Sequence, residues 1–211
     1  MTEKARVLLL GDSFVGKTSI SNYISKGEFC PFTKPTTAVG FIVIHVDETF
    51  DIQLWDTAGM ERYRSLNKVY FREASGALLV FDFSSKASFD NISTWRDDFI
   101  NGESLQNSVL FLVGNKHDCV TGEDINIQPN INENQNESPI LNSQKKLVQE
   151  VSEDEAAKFA TENGMQYFAI SALTGEGISE LIQAIQTTVP RRRINSEELP
   201  LAKADGKKNC C

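Results

Sequence analysis

Near the start of the chain, Gly11-Asp12-Ser13-Phe14-Val15-Gly16-Lys17-Thr18 carries the spacing G-x-x-x-x-G-K-[ST]. A loop of this kind wraps its backbone N–H groups around the phosphates of a nucleoside triphosphate, and the helix that follows adds a favourable dipole. Here Ser13, Phe14, Val15, Gly16 and Ser19 line the phosphate path, and Gly16 lets the backbone come close. Lys17 brings a compact positive charge for the β- and γ-phosphates, and the Thr18 hydroxyl is a ligand for Mg2+. The motif specifies phosphate; it does not specify the base.

A second constellation, Asn115-Lys116-His117-Asp118, follows a strongly apolar run. It stands at the carboxyl edge of a strand, where open α/β sheets bind ligands. The Asp118 carboxylate can accept two parallel hydrogen bonds, from guanine N1–H and from its exocyclic amine. Adenine offers no such pair and would leave a buried carboxylate unpaired, a strong discrimination. The two motifs together point to a guanine nucleotide, GTP or GDP. An ATP-using P-loop kinase is the poorer reading, because the chain shows no lid, no substrate base and no adenine-reading element.

With both motifs in place, residues 5–190 resemble the Ras superfamily of small GTPases, and within it the Rab type. Gly11-Asp12-Ser13 opens the loop as in many Rabs, and Trp55-Asp56-Thr57-Ala58-Gly59 resembles the Rab entry to switch II. The resemblance implies a P-loop GTPase fold and further site residues. Ser171-Ala172-Leu173 stands where the family carries Ser-Ala-Lys, with the Ala172 N–H expected at the guanine oxygen. Leu173 replaces the lysine that lies along the base, so some affinity is expected to be lost. Phe29, seven residues before Thr36, is expected to stack on the guanine ring. Thr36 is expected to ligate Mg2+ in the GTP state. Thr37 is the alternative, since Ala38 replaces the family's glycine; the count from Lys17 and the preceding Pro35 favour Thr36. Asp56 would hold the same ion through water, and the Gly59 N–H would meet the γ-phosphate. Loss of that phosphate would release both loops, an order–disorder switch. Phe41, Trp55 and Tyr70 match the aromatic trio through which Rabs present their state to effectors. An exchange factor, a GTPase-activating protein, effectors and a lipid-masking chaperone are the implied partners.

Two positions depart from the family. Met60 stands where a glutamine orients the attacking water, and a thioether accepts hydrogen bonds weakly and donates none. Intrinsic hydrolysis, roughly 10⁻⁴ s⁻¹ in the best-studied relative, is expected to be slower still, and no catalytic residue is assigned. One consequence would be a hydrolysis-deficient, GTP-loaded scaffold that recruits effectors. Phe14 stands where a small residue is usual, and its ring is expected to need room near the nucleotide or switch I.

The chain ends in Cys210-Cys211 behind a basic stretch, Arg191-Arg192-Arg193 and Lys207-Lys208. No cysteine stands fourth from the end, so this is not C-a-a-X. It resembles the double-cysteine terminus that Rabs carry geranylgeranylated on both thiols, and two lipids anchor stably where one does not. The expectation is a cytoplasmic protein, peripheral on the cytosolic face of intracellular membranes.

The elements that must position these residues alternate. Val7–Leu10 reads as a strand, 17–26 as a helix, and 39–46 and 50–55 as a hairpin turning at Asp47-Glu48-Thr49. The runs 76–83 and 108–114 are near-continuously apolar, as in strands covered on both faces. A helix over 88–101 separates them. Ser152 to Glu155 forms a capping box opening a helix that stops at Gly164; a strand at 166–171 and a helix over 178–189, closed by Pro190, complete the chain. The class is α/β: one domain over 1–190, a mostly parallel six-stranded sheet with helices on both faces, then a tail over 191–211. Residues 121–150, with Asn130-Ile131-Asn132-Glu133-Asn134-Gln135-Asn136, read as an extended inserted loop. A formal charge of −8 argues against a nucleic-acid surface. Four cysteines without a C-x-x-C pair offer neither a zinc site nor a disulfide framework.

Overall fold

In the computed structural model, the residues that can be described are 3–31, 40–56, 71–102, 108–121 and 148–191. They contain β1 (Glu3–Leu10), α1 (Lys17–Lys26), β2 (Gly40–Asp47), β3 (Phe50–Asp56) and β4 (Gly76–Asp82). Next come α2 (Lys86–Asp90), α3 (Ile92–Asn101), β5 (Val109–Asn115), α4 (Asp118–Thr121), α5 (Glu153–Glu162), β6 (Gln166–Ala169) and α6 (Ile178–Thr188). The six strands form one sheet in the order β2-β3-β1-β4-β5-β6. Only the β2–β3 hairpin is antiparallel.

The apolar runs are explained by what covers the sheet. Alternate residues of each central strand face opposite ways. Val7, Leu9, Leu78, Val80, Phe111 and Val113 pack with Ile20 of α1 and with Ile178, Leu181 and Ile185 of α6. Leu8, Leu10, Leu79, Phe81 and Leu112 pack on the other side with Phe89, Trp95 and Phe99 of α2 and α3 and with Ala156 and Ala160 of α5. Both faces of the sheet's centre are therefore dry, which is why Val7–Leu10 and most of β4 and β5 are apolar, while the first half of β1 carries Glu3, Lys4 and Arg6.

Three local features differ from the sequence reading. The helix expected over 88–101 is two: Asn91 lies between α2 and α3, its N–H shared between the carbonyls of Ala87 and Phe89. At α5 only half of the capping box forms. Ser152 Oγ accepts the Glu155 N–H at 3.2 Å, but the Glu155 carboxylate turns to Lys86 Nζ at 2.6 Å instead of reaching back. The short α4, inside the base-reading region, has no periodicity to announce it. The other end of α5 is as expected, a Schellman closure with Gly164 N–H on Thr161 O and Met165 N–H on Ala160 O.

Most of the proposed inserted loop, 122–147, lies outside the described residues. Its far end is tied down. The N–H groups of Glu150 and Val151 both donate to Phe83 O, and Glu150 Oε2 accepts the Lys86 N–H at 2.8 Å.

The chain passes from β1 to β3 on one side and on to β4 on the other, so the sheet has its switch point at β1, where ligands of open α/β sheets bind. Gly11 leaves β1 there with φ 143°, and a Cβ on it would overlap the Val80 carbonyl of β4. Backbone distorted away from such a contact costs on the order of 1–3 kcal/mol. Gly11→Ala is expected to destabilise the domain by at least that much, read as a lower midpoint in urea unfolding followed by circular dichroism.

Candidate functional site

The loop from Gly11 to Thr18 joins β1 to α1, as its motif requires. Phe14 and Gly16 take left-handed φ values of 66° and 96°. Turns of this kind bring successive N–H groups to one side as an anion cradle. A Cβ on Gly16 would overlap Asn115 Nδ2, so side chains other than hydrogen are excluded by the second motif itself. Lys17 is 5% exposed, and its Nζ donates to the carbonyls of Gly11 at 2.7 Å and Asp12 at 2.6 Å. The ammonium is thus held across the mouth of the cradle. Ser13 is exposed, Val15 buried, and Thr18 and Ser19 half-buried. Phe29 is half-buried in the coil after α1.

Phe14, expected to need room near the nucleotide or switch I, is 87% exposed among the described residues. The burden falls on the backbone, because a positive φ disfavours any residue with a Cβ. That conformation also explains the preference for glycine at this point of the loop.

Asn115 ends β5 at 2% exposure and joins the two motifs to a third segment. Its Nδ2 donates to Val15 O at 2.8 Å, and its Oδ1 accepts the Ala172 N–H at 3.0 Å. In this arrangement the Ala172 N–H braces the Asn115 carboxamide. Ser171 is fully engaged. Its hydroxyl donates to Asp118 Oδ1 at 2.5 Å and accepts the N–H groups of Leu173 at 3.2 Å and Thr174 at 3.1 Å. One donor and two acceptor sites are thereby filled, and one oxygen of the Asp118 carboxylate is held. Leu173 is half-buried. Lys116, with φ 65°, sends Nζ to Asp82 Oδ2 at 2.5 Å, while Asp82 Oδ1 accepts the N–H and hydroxyl of Ser84.

His117 sits between the base loop and two carboxylates. Its N–H donates to Ile170 O, its Nε2 lies 3.0 Å from Glu153 Oε1, and Glu176 Oε1 is 3.3 Å from Nδ1 without hydrogen-bond alignment. Burial works to lower its proton affinity, but the Glu153 and Glu176 carboxylates outweigh it, and the pKa is raised above 6.5.

Asp56, 6% exposed, ends β3 opposite Leu9 of β1, two residues before the loop begins. Phe41 and Trp55 stack at 5.2 Å across the β2–β3 pair. Trp55 is only 6% exposed and carries the Arg6 guanidinium 5.1 Å from its ring, so Phe41, half-buried, is the member of this pair with more surface to offer. Thr36, Thr37, Gly59, Met60, Tyr70, Cys210 and Cys211 lie outside the described residues.

Sequence reasoning missed Asp12, Asp82, His117 and the carboxylates of Glu153 and Glu176. The first and third occupy variable positions of their motifs. Their partners stand tens of residues away, so spacing carries no signal for them.

The family model described as Ras family matches residues 6–191. The GTP-binding protein YPT52 of Saccharomyces cerevisiae is 35% identical over 192 residues, covering 85% of this chain and 79% of the relative. The Ras-related protein Rab2BV of Beta vulgaris is 32% identical, covering 87% and 75%. The Ras-related protein Rab11C of Lotus japonicus is also 32% identical, covering 87% and 74%.

His117 gains proton affinity on folding. Its contribution to stability is complete below the unfolded value near 6.5 and fades as the pH climbs through the raised folded value. His117→Gln is therefore expected to lose more stability at about pH 6 than at about pH 8.5. Urea unfolding of both proteins at the two pH values checks this; an equal loss at both would contradict it.

Proposed function

Because the chain belongs to the Ras family of small GTPases, in its Rab-type branch, we propose that it is a GTP/GDP-dependent switch in vesicle and membrane traffic whose hydrolysis is slowed at Met60. The observation that carries the nucleotide part is the Asn115 bridge, which ties the phosphate loop to the base-reading segment before any ligand is considered.

In this reading Lys17 and the loop N–H groups from Ser13 to Ser19 receive the phosphates. Asp118, held by Ser171, selects guanine, with Asn115, Lys116, Ala172, Leu173 and Phe29 around the base. The Lys17 position supports this, since its Nζ needs only to extend from the two carbonyls toward the cradle. Thr18 and Asp56, with Thr36 in the GTP state, are the residues that would hold Mg2+. When bound, the ion supplies positive charge against the negative charge that grows on the departing phosphate. Gly59 would sense the γ-phosphate, and Phe41 with Trp55 and Tyr70 would report it to effectors.

The weak point is the water. A general positioning group must hold the nucleophile in line, and Met60 has neither a donor nor a strong acceptor for that purpose. A second reading follows from this residue alone: a protein that stays loaded with GTP and works as a scaffold for effectors.

The double-cysteine terminus behind a basic stretch supports a membrane anchor. Arg191 pairs with Asp47 and lies 5.2 Å over the Phe50 ring, at the hairpin end of the sheet opposite the phosphate loop. The Thr49 N–H and hydroxyl, with the Arg191 guanidinium, hold the Asp47 carboxyl down at about 2. A tail lipidated at Cys210 and Cys211 would begin from this end of the sheet.

Single-turnover hydrolysis of bound GTP is expected to be faster in Met60→Gln than in the wild type, and equal rates would sink the role given to Met60. In a competition assay GTP and GDP are expected to displace a fluorescent guanine nucleotide with ATP ineffective; comparable ATP affinity would overturn the base assignment.

A further inference from the structure

The residue after Gly11 brings a carboxylate into a loop whose task, on the nucleotide reading above, is to hold anionic phosphate. Like charges in close quarters repel, so an acidic side chain there needs an outlet. The structure supplies one. Asp12 Oδ1 accepts the indole N–H of Trp95 at 2.8 Å, and Oδ2 accepts an N–H of the Asn91 carboxamide at 2.7 Å. Both oxygens are thus engaged by neutral donors on the α2–α3 segment.

The partners are suited to the task. Trp95 is 3% exposed and packs in the layer with Phe89, Ile92 and Phe99, so its N–H is fixed by the core. Asn91 stands at the break between α2 and α3, and its side chain makes no cap to the α3 backbone. Meanwhile the backbone carbonyl of Asp12 accepts Lys17 Nζ at 2.6 Å. One residue therefore links the phosphate lysine on one side to a rigid aromatic on the other.

We propose that Asp12 is a positioning residue for phosphate binding: its bridge to Trp95 and Asn91 sets the path of the loop, and through the Asp12 carbonyl the starting position of Lys17. It touches no substrate. Its effect is on the β-phosphate, because that is where Lys17 and the loop N–H groups act. The inference rests on the guanine-nucleotide reading.

Affinities for GDP and for GMP, which lacks the β-phosphate, test it in the full-length protein. Asp12→Ala, Trp95→Phe and Asn91→Ala are compared with the wild type. Asp12→Ala and Trp95→Phe are expected to weaken GDP about tenfold or more, the change that accompanies loss of a hydrogen bond to a charged group. GMP is expected to be little affected. Asn91→Ala, an exposed change, serves where Trp95→Phe fails to fold, and is expected to weaken GDP in the same selective way. The Asp12→Ala/Trp95→Phe double variant is expected to be no worse than Asp12→Ala alone, because the two residues share one bond. Wild-type GDP affinity in the variants, or equal losses for GDP and GMP, would overturn the proposal. Failure of the wild type to bind either nucleotide would instead strike at the guanine reading itself.

Discussion

Asn115 and Gly16 occupy one another's space. The Nδ2 of the asparagine sits where a Cβ on Gly16 would be, and from there it donates to Val15 O, while Oδ1 receives the Ala172 N–H. A carboxamide has both donors and acceptors, so a single buried side chain can hold two loops that share no strand. Neither half of the bridge survives alone. A side chain at position 16 would displace the amide, and loss of the amide would leave the Val15 carbonyl and the Ala172 N–H unpaired in a dry site. The phosphate cradle and the base-reading loop are therefore one unit, assembled at the carboxyl ends of β1 and β5.

The rest of the site is a sequence of braces around that unit. Ser171 holds Asp118, Asp82 holds Lys116, and Glu153 and Glu176 flank His117. The braces come from the end of β4, the start of α5 and the loop between β6 and α6. The sheet can offer a fixed platform because both of its faces are closed by helices. Precision at the site is a consequence of packing far from it.

Two residues show how a family pattern can be altered at different levels. Phe14 keeps the loop geometry and bears its departure as backbone strain, with the ring left in solvent. On the function proposed above, Met60 would change chemistry instead: a thioether accepts hydrogen bonds weakly and donates none. In that proposal binding and turnover are separable, since the residues assigned to the nucleotide are not the one assigned to water.

The alternation of strands and helices was legible in the residues because a sheet covered on both faces demands apolar runs in β1, β4 and β5. The phosphate and base motifs were legible because their function depends on local spacing. The break at Asn91, the turn of Glu155 toward Lys86 and the short α4 were not, because each is decided by a partner elsewhere or by a single turn too short for periodicity. The same holds for the site. Gly11, Lys17, Thr18, Asn115 and Asp118 stand out as candidates from their spacing alone. That Asp12 faces Trp95, that the Ala172 N–H is taken by Asn115, and that His117 stands between two carboxylates are facts about residues dozens of positions apart. Local spacing determines which groups can do chemistry; only the folded chain decides which distant groups hold them in place, because hydrogen bonds depend on distance and angle in space and not on order in the sequence.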